Sequence, residues 1–191
     1  MLRRNLLTIL FYLCLASCAT APPNNTENIC AVFSEQDEWY GNARQASEKW
    51  GIPTTVIMAI MHQESHFVAD AKPPRTYLLG FIPWFRPTSA YGYAQALDGT
   101  WDDYQGSVGN WWSDRDDFAD AADFIAWYCA ISHRKLGIAA SDTKNLYLAY
   151  HEGHRGFQQK TYLRVAWLRR TADKVATRAK QFQKQLNGCN L

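Results

Sequence analysis

The sequence predicts a mainly α-helical single domain, and three observations carry that expectation. Apolar residues recur at i, i+3, i+4 spacing across several long segments, as helices with one buried stripe require. The apolar–polar alternation of half-buried strands is nearly absent from the 191 residues. The one long interruption, residues 70–90, carries Pro73, Pro74, Pro83 and Pro87, whose missing N–H groups work against a regular helix.

At the N-terminus, Arg3 and Arg4 precede an apolar run from Leu6 to Leu15. The run is about ten residues, against the ~20 that a membrane-spanning helix needs, and is expected to be a signal peptide. It closes on Leu15-Ala16-Ser17-Cys18, which resembles the lipobox of bacterial lipoproteins. That resemblance implies cleavage before Cys18, a lipid on Cys18, and a place in the cell envelope of a Gram-negative bacterium. By analogy with lipoprotein sorting, Ala19 implies the outer membrane, facing the periplasm. The expected organisation is a signal peptide over 1–17, the lipidated Cys and a flexible tether over 18–33, and one domain over 34–191. Residues 19–29 are polar and rich in Pro and Asn, which suits a tether. Losing Arg3 and Arg4 takes the 20 Lys and Arg to 18, against 18 Asp and Glu. A near-neutral chain argues against nucleic acid as a partner.

Within the domain, Ser34-Glu35-Gln36-Asp37 is similar to a capping box, with Asp in place of the preferred Glu or Gln. Trp39, Tyr40, Ala43, Ala46, Ser47 and Trp50 then follow helical spacing. Gly51-Ile52-Pro53 ends that helix and opens the next, expected from Thr54 to about His66. Residues 70–90 form a long Pro/aromatic loop, either exposing its apolar side chains or folded back over the core. A strong helix is expected over Asp116 to Leu136, with Phe118, Ala121, Ala122, Ile125, Tyr128, Cys129 and Ser132 on one stripe. A shorter helix over Lys144 to His151 and a long one from about Gln159 to Leu186 complete the fold. Cys30 and Cys189 flank the domain, and chain ends often lie close together. The expected disulfide therefore joins them, leaving Cys129 as a buried thiol.

One residue is out of place on these stripes. Glu64 follows Ile57 by seven positions and Ile60 by four, so its carboxylate points with the apolar groups. Burial and the negative end of the helix dipole both favour the protonated form, which raises the pKa towards what a general acid needs. The plainer alternative is a glutamate on a frayed last turn, reaching solvent or bonding to Arg75.

Four segments, in order, add to this. Glu64-Ser65-His66-Phe67 resembles the Glu-Ser-x-Phe signature of lytic transglycosylases with the soluble-type, lysozyme-like domain. Gly92 and Gln95 in Ala90-Tyr91-Gly92-Tyr93-Ala94-Gln95-Ala96-Leu97 match that family's Gly-Leu-Met-Gln-Leu segment. Ala149-Tyr150-His151-Glu152-Gly153 resembles its Ala-Tyr-Asn-Ala-Gly motif, and Thr161-Tyr162-Leu163-Arg164-Val165 its tyrosine-containing segment. The resemblance implies that Glu64 protonates the glycosidic oxygen and then acts as base. Ser65, Gln95, Tyr150, His151 and Tyr162 would bind and orient the sugar. The implied reaction cleaves the β-1,4 bond between N-acetylmuramic acid and N-acetylglucosamine without water, leaving 1,6-anhydro ends, and no cofactor is implied. His151 stands where the family usually has Asn and Glu152 where it has Ala, which leaves the sugar contacts and pH dependence open.

Other possibilities stay open on sequence alone. A non-catalytic peptidoglycan-binding lipoprotein would need no working acid, and a hydrolytic muramidase would need a second carboxylate, for which Asp70, Asp98, Asp102 and Asp103 are the candidates. His62, His66, His151 and His154 could bind zinc, but Glu64 is not where the zinc-protease pattern puts its glutamate, and no metal is expected. The basic residues of the last helix, from Lys160 to Lys184, form a solvated face or meet anionic lipid.

Overall fold

The computed structural model describes residues 21–78, 82–83, 86–108 and 111–190. The lipobox, Cys18 and the signal segment lie outside these residues, as do the aromatic side chains expected in the middle of the 70–90 loop. Seven α-helices carry the described chain: α1 (Ile29–Glu35), α2 (Asp37–Trp50), α3 (Thr54–Ser65), α4 (Asp98–Ser107), α5 (Phe118–Leu136), α6 (Thr143–Gln158) and α7 (Ala166–Leu186). The mainly α class holds. Two short strands, β1 (Tyr77–Leu78) and β2 (Ile82–Pro83), pair antiparallel with Tyr77 opposite Pro83.

Helix α3 is the centre. Nine of its twelve residues are buried, so it is walled on all sides and not amphipathic. It packs on α2, α5 and α7, while α6 bridges α5 and α7. Gly51 ends α2 in the left-handed conformation (φ 71°), its N–H returning to the Ser47 carbonyl, and Pro53 starts α3 with a preset φ. Asp117 and Asp142 cap α5 and α6, each side chain accepting a backbone N–H of the first turn.

The expected tether over 18–33 is a correction. Its described part is tied into the domain: Asn28 caps α1, and Ile29, Val32 and Phe33 are buried. The Ile29 N–H donates to the Gln185 side chain at 2.9 Å, and Cys30 is disulfide-bonded to Cys189, with 5.7 Å between Cα atoms. Cys129 is a free, buried thiol. Ser34 lies in the last turn of α1 and does not cap it, because that helix already starts at Ile29 under the Asn28 side chain. At the other end, the helix expected from Gln159 is two elements. A 3-10 turn (Thr161–Arg164) precedes α7, and α6 runs on to Gln158 through a kink at Gly153 (φ 73°, ψ 161°). A left-handed Lys160 (φ 55°) separates them.

Candidate active site

Glu64 stands on the last turn of α3. The helix stops there because His66 turns left-handed (φ 52°), with its N–H returned to the His62 carbonyl. Phe67 follows at φ 62°. Two successive non-glycine residues in that region cost roughly 1–3 kcal/mol each. They are held because the Phe67 ring is fully buried against Trp39 (5.8 Å between centroids) and His62 (5.6 Å). The sharp turn leaves Glu64 at the end of a buried helix, with its backbone fixed by core packing on the next residues.

Glu64 is half-buried as a residue, and burial of its carboxylate dominates its titration, pushing it up to about 7. The Tyr147 hydroxyl, donating to it, pulls the other way. Tyr147 is buried on α6, and its own ionisation is raised by burial and by the Glu64 charge. Tyr150, one turn further on, also feels Glu64 and donates to the Ala94 carbonyl at 2.7 Å. No ion pair reaches Glu64 among the described residues, so the contact with Arg75 is not formed. Burial therefore lets Glu64 hold a proton close to neutral pH, with the Tyr147 hydroxyl as its partner.

The segment from Tyr91 to Ala96 faces these tyrosines. Gly92 is left-handed (φ 79°), and a Cβ there would lie 2.0 Å from the Arg115 carbonyl oxygen, so only glycine fits. Tyr93 is buried, edge-on to Trp39 at 5.6 Å, and pins the turn to the core. Gln95, itself at φ 48°, donates its side-chain N–H groups to the carbonyls of Ala71 (2.8 Å) and Gly92 (3.0 Å). With its nitrogen so committed, the side-chain oxygen is left as its acceptor. Gln95, Tyr150, His151 and Glu152 line one cavity of about 220 Å³, with Phe124, Tyr128 and Leu97 as its apolar part. Mixed polar and aromatic walls of this kind suit a sugar.

A family model, the transglycosylase SLT domain, matches residues 6–189. The chain belongs to the transglycosylase SLT domain family. Members of the family are lytic transglycosylases, and the domain implies peptidoglycan as substrate. Comparison with curated proteins and with solved structures finds no match.

Within this SLT domain the residues expected at the site divide into three groups. Glu64 and Tyr150 come together, and Gln95 and His151 join Tyr150 at the cavity. Ser65 does not turn outwards: it is buried, and its hydroxyl donates to the Met61 carbonyl at 3.2 Å. Tyr162 sits on the 3-10 turn, stacked on Phe157 at 5.3 Å. His151 lies 3.4 Å from a Glu152 oxygen through Nδ1 and edge-on to the exposed Trp167 at 5.2 Å. The other Glu152 oxygen accepts from Thr161, which ties the 3-10 turn back to α6.

Sequence reasoning missed Tyr147. The signal was there, because Tyr147, Tyr150 and His151 share one helix face at i, i+3, i+4 spacing. The candidate second carboxylates stay in solvent: Asp70, Asp102 and Asp103 are exposed, and Asp98 pairs with Arg115 at 2.7 Å. The histidines do not converge either. His62 is buried near Glu27, His154 bonds Ser132 at 3.0 Å, and no metal-ligating group of three exists among the described residues.

Proposed function

We propose that this chain is a peptidoglycan lytic transglycosylase that cuts the β-1,4 bond between N-acetylmuramic acid and N-acetylglucosamine. The observation that carries it is Glu64, its pKa raised to about 7 by burial, with the Tyr147 hydroxyl and no second carboxylate shaping its titration. A two-carboxylate glycosidase needs its second group ~5–10 Å away. One carboxylate suffices when the nucleophile belongs to the substrate. Glu64 gives its proton to the glycosidic oxygen as the bond to C1 breaks. The 6-hydroxyl of the same muramic acid then attacks C1, and Glu64 takes back the hydroxyl proton. The products are a free 4-hydroxyl and a 1,6-anhydro end, with Glu64 restored as the acid. Intramolecular attack draws on the high effective concentration of a positioned group. Gln95 and His151, on the cavity wall, would hold the sugar's amide and hydroxyl groups.

Glu64→Gln on purified peptidoglycan is expected to cut release of anhydro-muropeptides by roughly 10²–10⁴-fold, the usual share of a general acid. Undiminished release sinks the assignment. Reducing ends from the wild type would favour a hydrolytic muramidase, and binding without release a non-catalytic protein. We further propose a lipid on Cys18 that holds the enzyme at the outer membrane, in the envelope of a Gram-negative bacterium. No described helix is long and apolar enough to cross a membrane. Cys18→Ala should move the protein from the membrane fraction to the soluble one.

A further inference from the structure

The cavity beside the site tyrosines does not stop at its far wall. Two of its lining residues, Thr100 and Tyr128, also line a second cavity of about 660 Å³. The Tyr128 ring is the sill between them. One side meets Tyr150 of the first cavity edge-on at 5.2 Å, and the other stacks on His154 of the second at 4.6 Å. The second cavity has an aromatic and aliphatic floor in Trp127 and Ile131.

Its rim is more cationic than the near-balanced charge of the chain as a whole. Arg134 and Lys135, in the last turn of α5, are exposed and line it. Neither makes an ion pair among the described residues. Asp103 is the one acid among its lining residues, and burial together with the Lys135 charge keeps His154 less basic than an ordinary histidine. Two free cations face one carboxylate.

We infer that this furrow takes the anionic peptide stem of a glycan strand, with stem carboxylates meeting Arg134 and Lys135 while the strand lies across Tyr128 towards Glu64. This rests on the peptidoglycan reading above. It makes stem-bearing strands better substrates than bare glycan, through charge that works at close range and is screened by salt.

The test compares two substrates: purified glycan strands with their peptide stems, and the same strands stripped by an amidase. The wild type should favour stem-bearing strands in kcat/KM, mainly through KM. In the Arg134→Glu/Lys135→Glu variant, the ratio of stem-bearing to bare kcat/KM should fall about tenfold. Arg134→Gln/Lys135→Gln should give an intermediate ratio, and it replaces the charge reversal if that variant fails to fold. Salt at 0.5 M should lower the wild-type ratio in the same direction. A wild-type ratio of one, or a ratio unmoved in the folded variants, overturns the inference while leaving the transglycosylase assignment intact. Release from neither substrate overturns both.

Discussion

Two titratable residues of α3, His62 and Glu64, are two positions apart and both pushed towards neutrality by burial, yet they lead opposite lives. Glu64 faces α6, keeps a partly open side, and titrates at about 7 because burial outweighs the Tyr147 hydrogen bond. His62 faces α7 and the N-terminal segment and is sealed, 3% exposed. Burial, then the charges of Arg178 and His66, lower it to about 4, although Glu27 at 3.2 Å pulls upwards. Glu27 in turn accepts from Arg178 at 2.6 Å, and the Cys30–Cys189 bridge lies beside this clamp on the same two chain ends. Desolvation alone therefore does not mark a catalytic group. What separates the two is access: Glu64 is half-buried beside the tyrosines of α6, while His62 is 3% exposed and sits behind the Glu27–Arg178 ion pair.

Glu64→Gln should abolish anhydro-end release by the margin given above while leaving denaturant stability equal or higher. A large loss of stability would mean that Glu64 is structural. Reducing the disulfide should cost about 2–5 kcal/mol in urea titrations, since it closes a long loop. Folded protein should keep its activity, because the bridge is on the His62 side. His62→Ala should cost about 2–3 kcal/mol through the cavity it leaves, with kcat within about twofold. Loss of kcat in folded His62→Ala would erase the distinction between the two sites.

The same pair should give opposite pH–stability slopes. Below its ordinary pKa of 6.5, unfolded His62 binds a proton that the folded side chain refuses until about 4, so stability is lost as pH falls across that window. Glu64 keeps its proton when folded up to about 7 but loses it near 4.5 when unfolded, so its contribution is full below 4.5 and lost as pH rises through 7. Urea midpoints across pH 4–8 should show the first slope vanish in His62→Phe and the second in Glu64→Gln. The smallest effect is the finest probe. Tyr147→Phe removes a donor that lowers the Glu64 pKa, so the alkaline limb of the activity profile should move up by about half a unit to one unit, the worth of one hydrogen bond. A limb that moves down would show that Tyr147 is not a donor to Glu64.

Much of this was legible in the residues alone. Gly51 and Pro53 marked where α3 begins, and helical spacing put Glu64 on the side of Ile57 and Ile60 before any contact was known. The cysteines at the two ends of the domain pointed to the bridge that the structure contains. Other features were not legible. Helix α1 is seven residues among Asn and Pro, and its stability comes from burying Ile29, Val32 and Phe33 beside α7. Helix α4 carries Gly99, Gly106 and three Asp residues, a poor local case for helix, and holds through Trp101 and Tyr104 buried on α5. The inward turn of Ser65 was not legible, because a hydroxyl at a helix end can return to its own backbone as readily as face a substrate.

By itself, the sequence determined the helical class, the position of one acid on an apolar stripe, and the ordered segments that mark the family. These depend on spacing along the chain, which a helix converts directly into direction. Only the tertiary structure decided that Tyr147 would meet Glu64, that His62 would be sealed, and that Tyr128 would join two cavities. Those facts depend on which faces meet between segments distant along the chain, and on the desolvation that follows once they do.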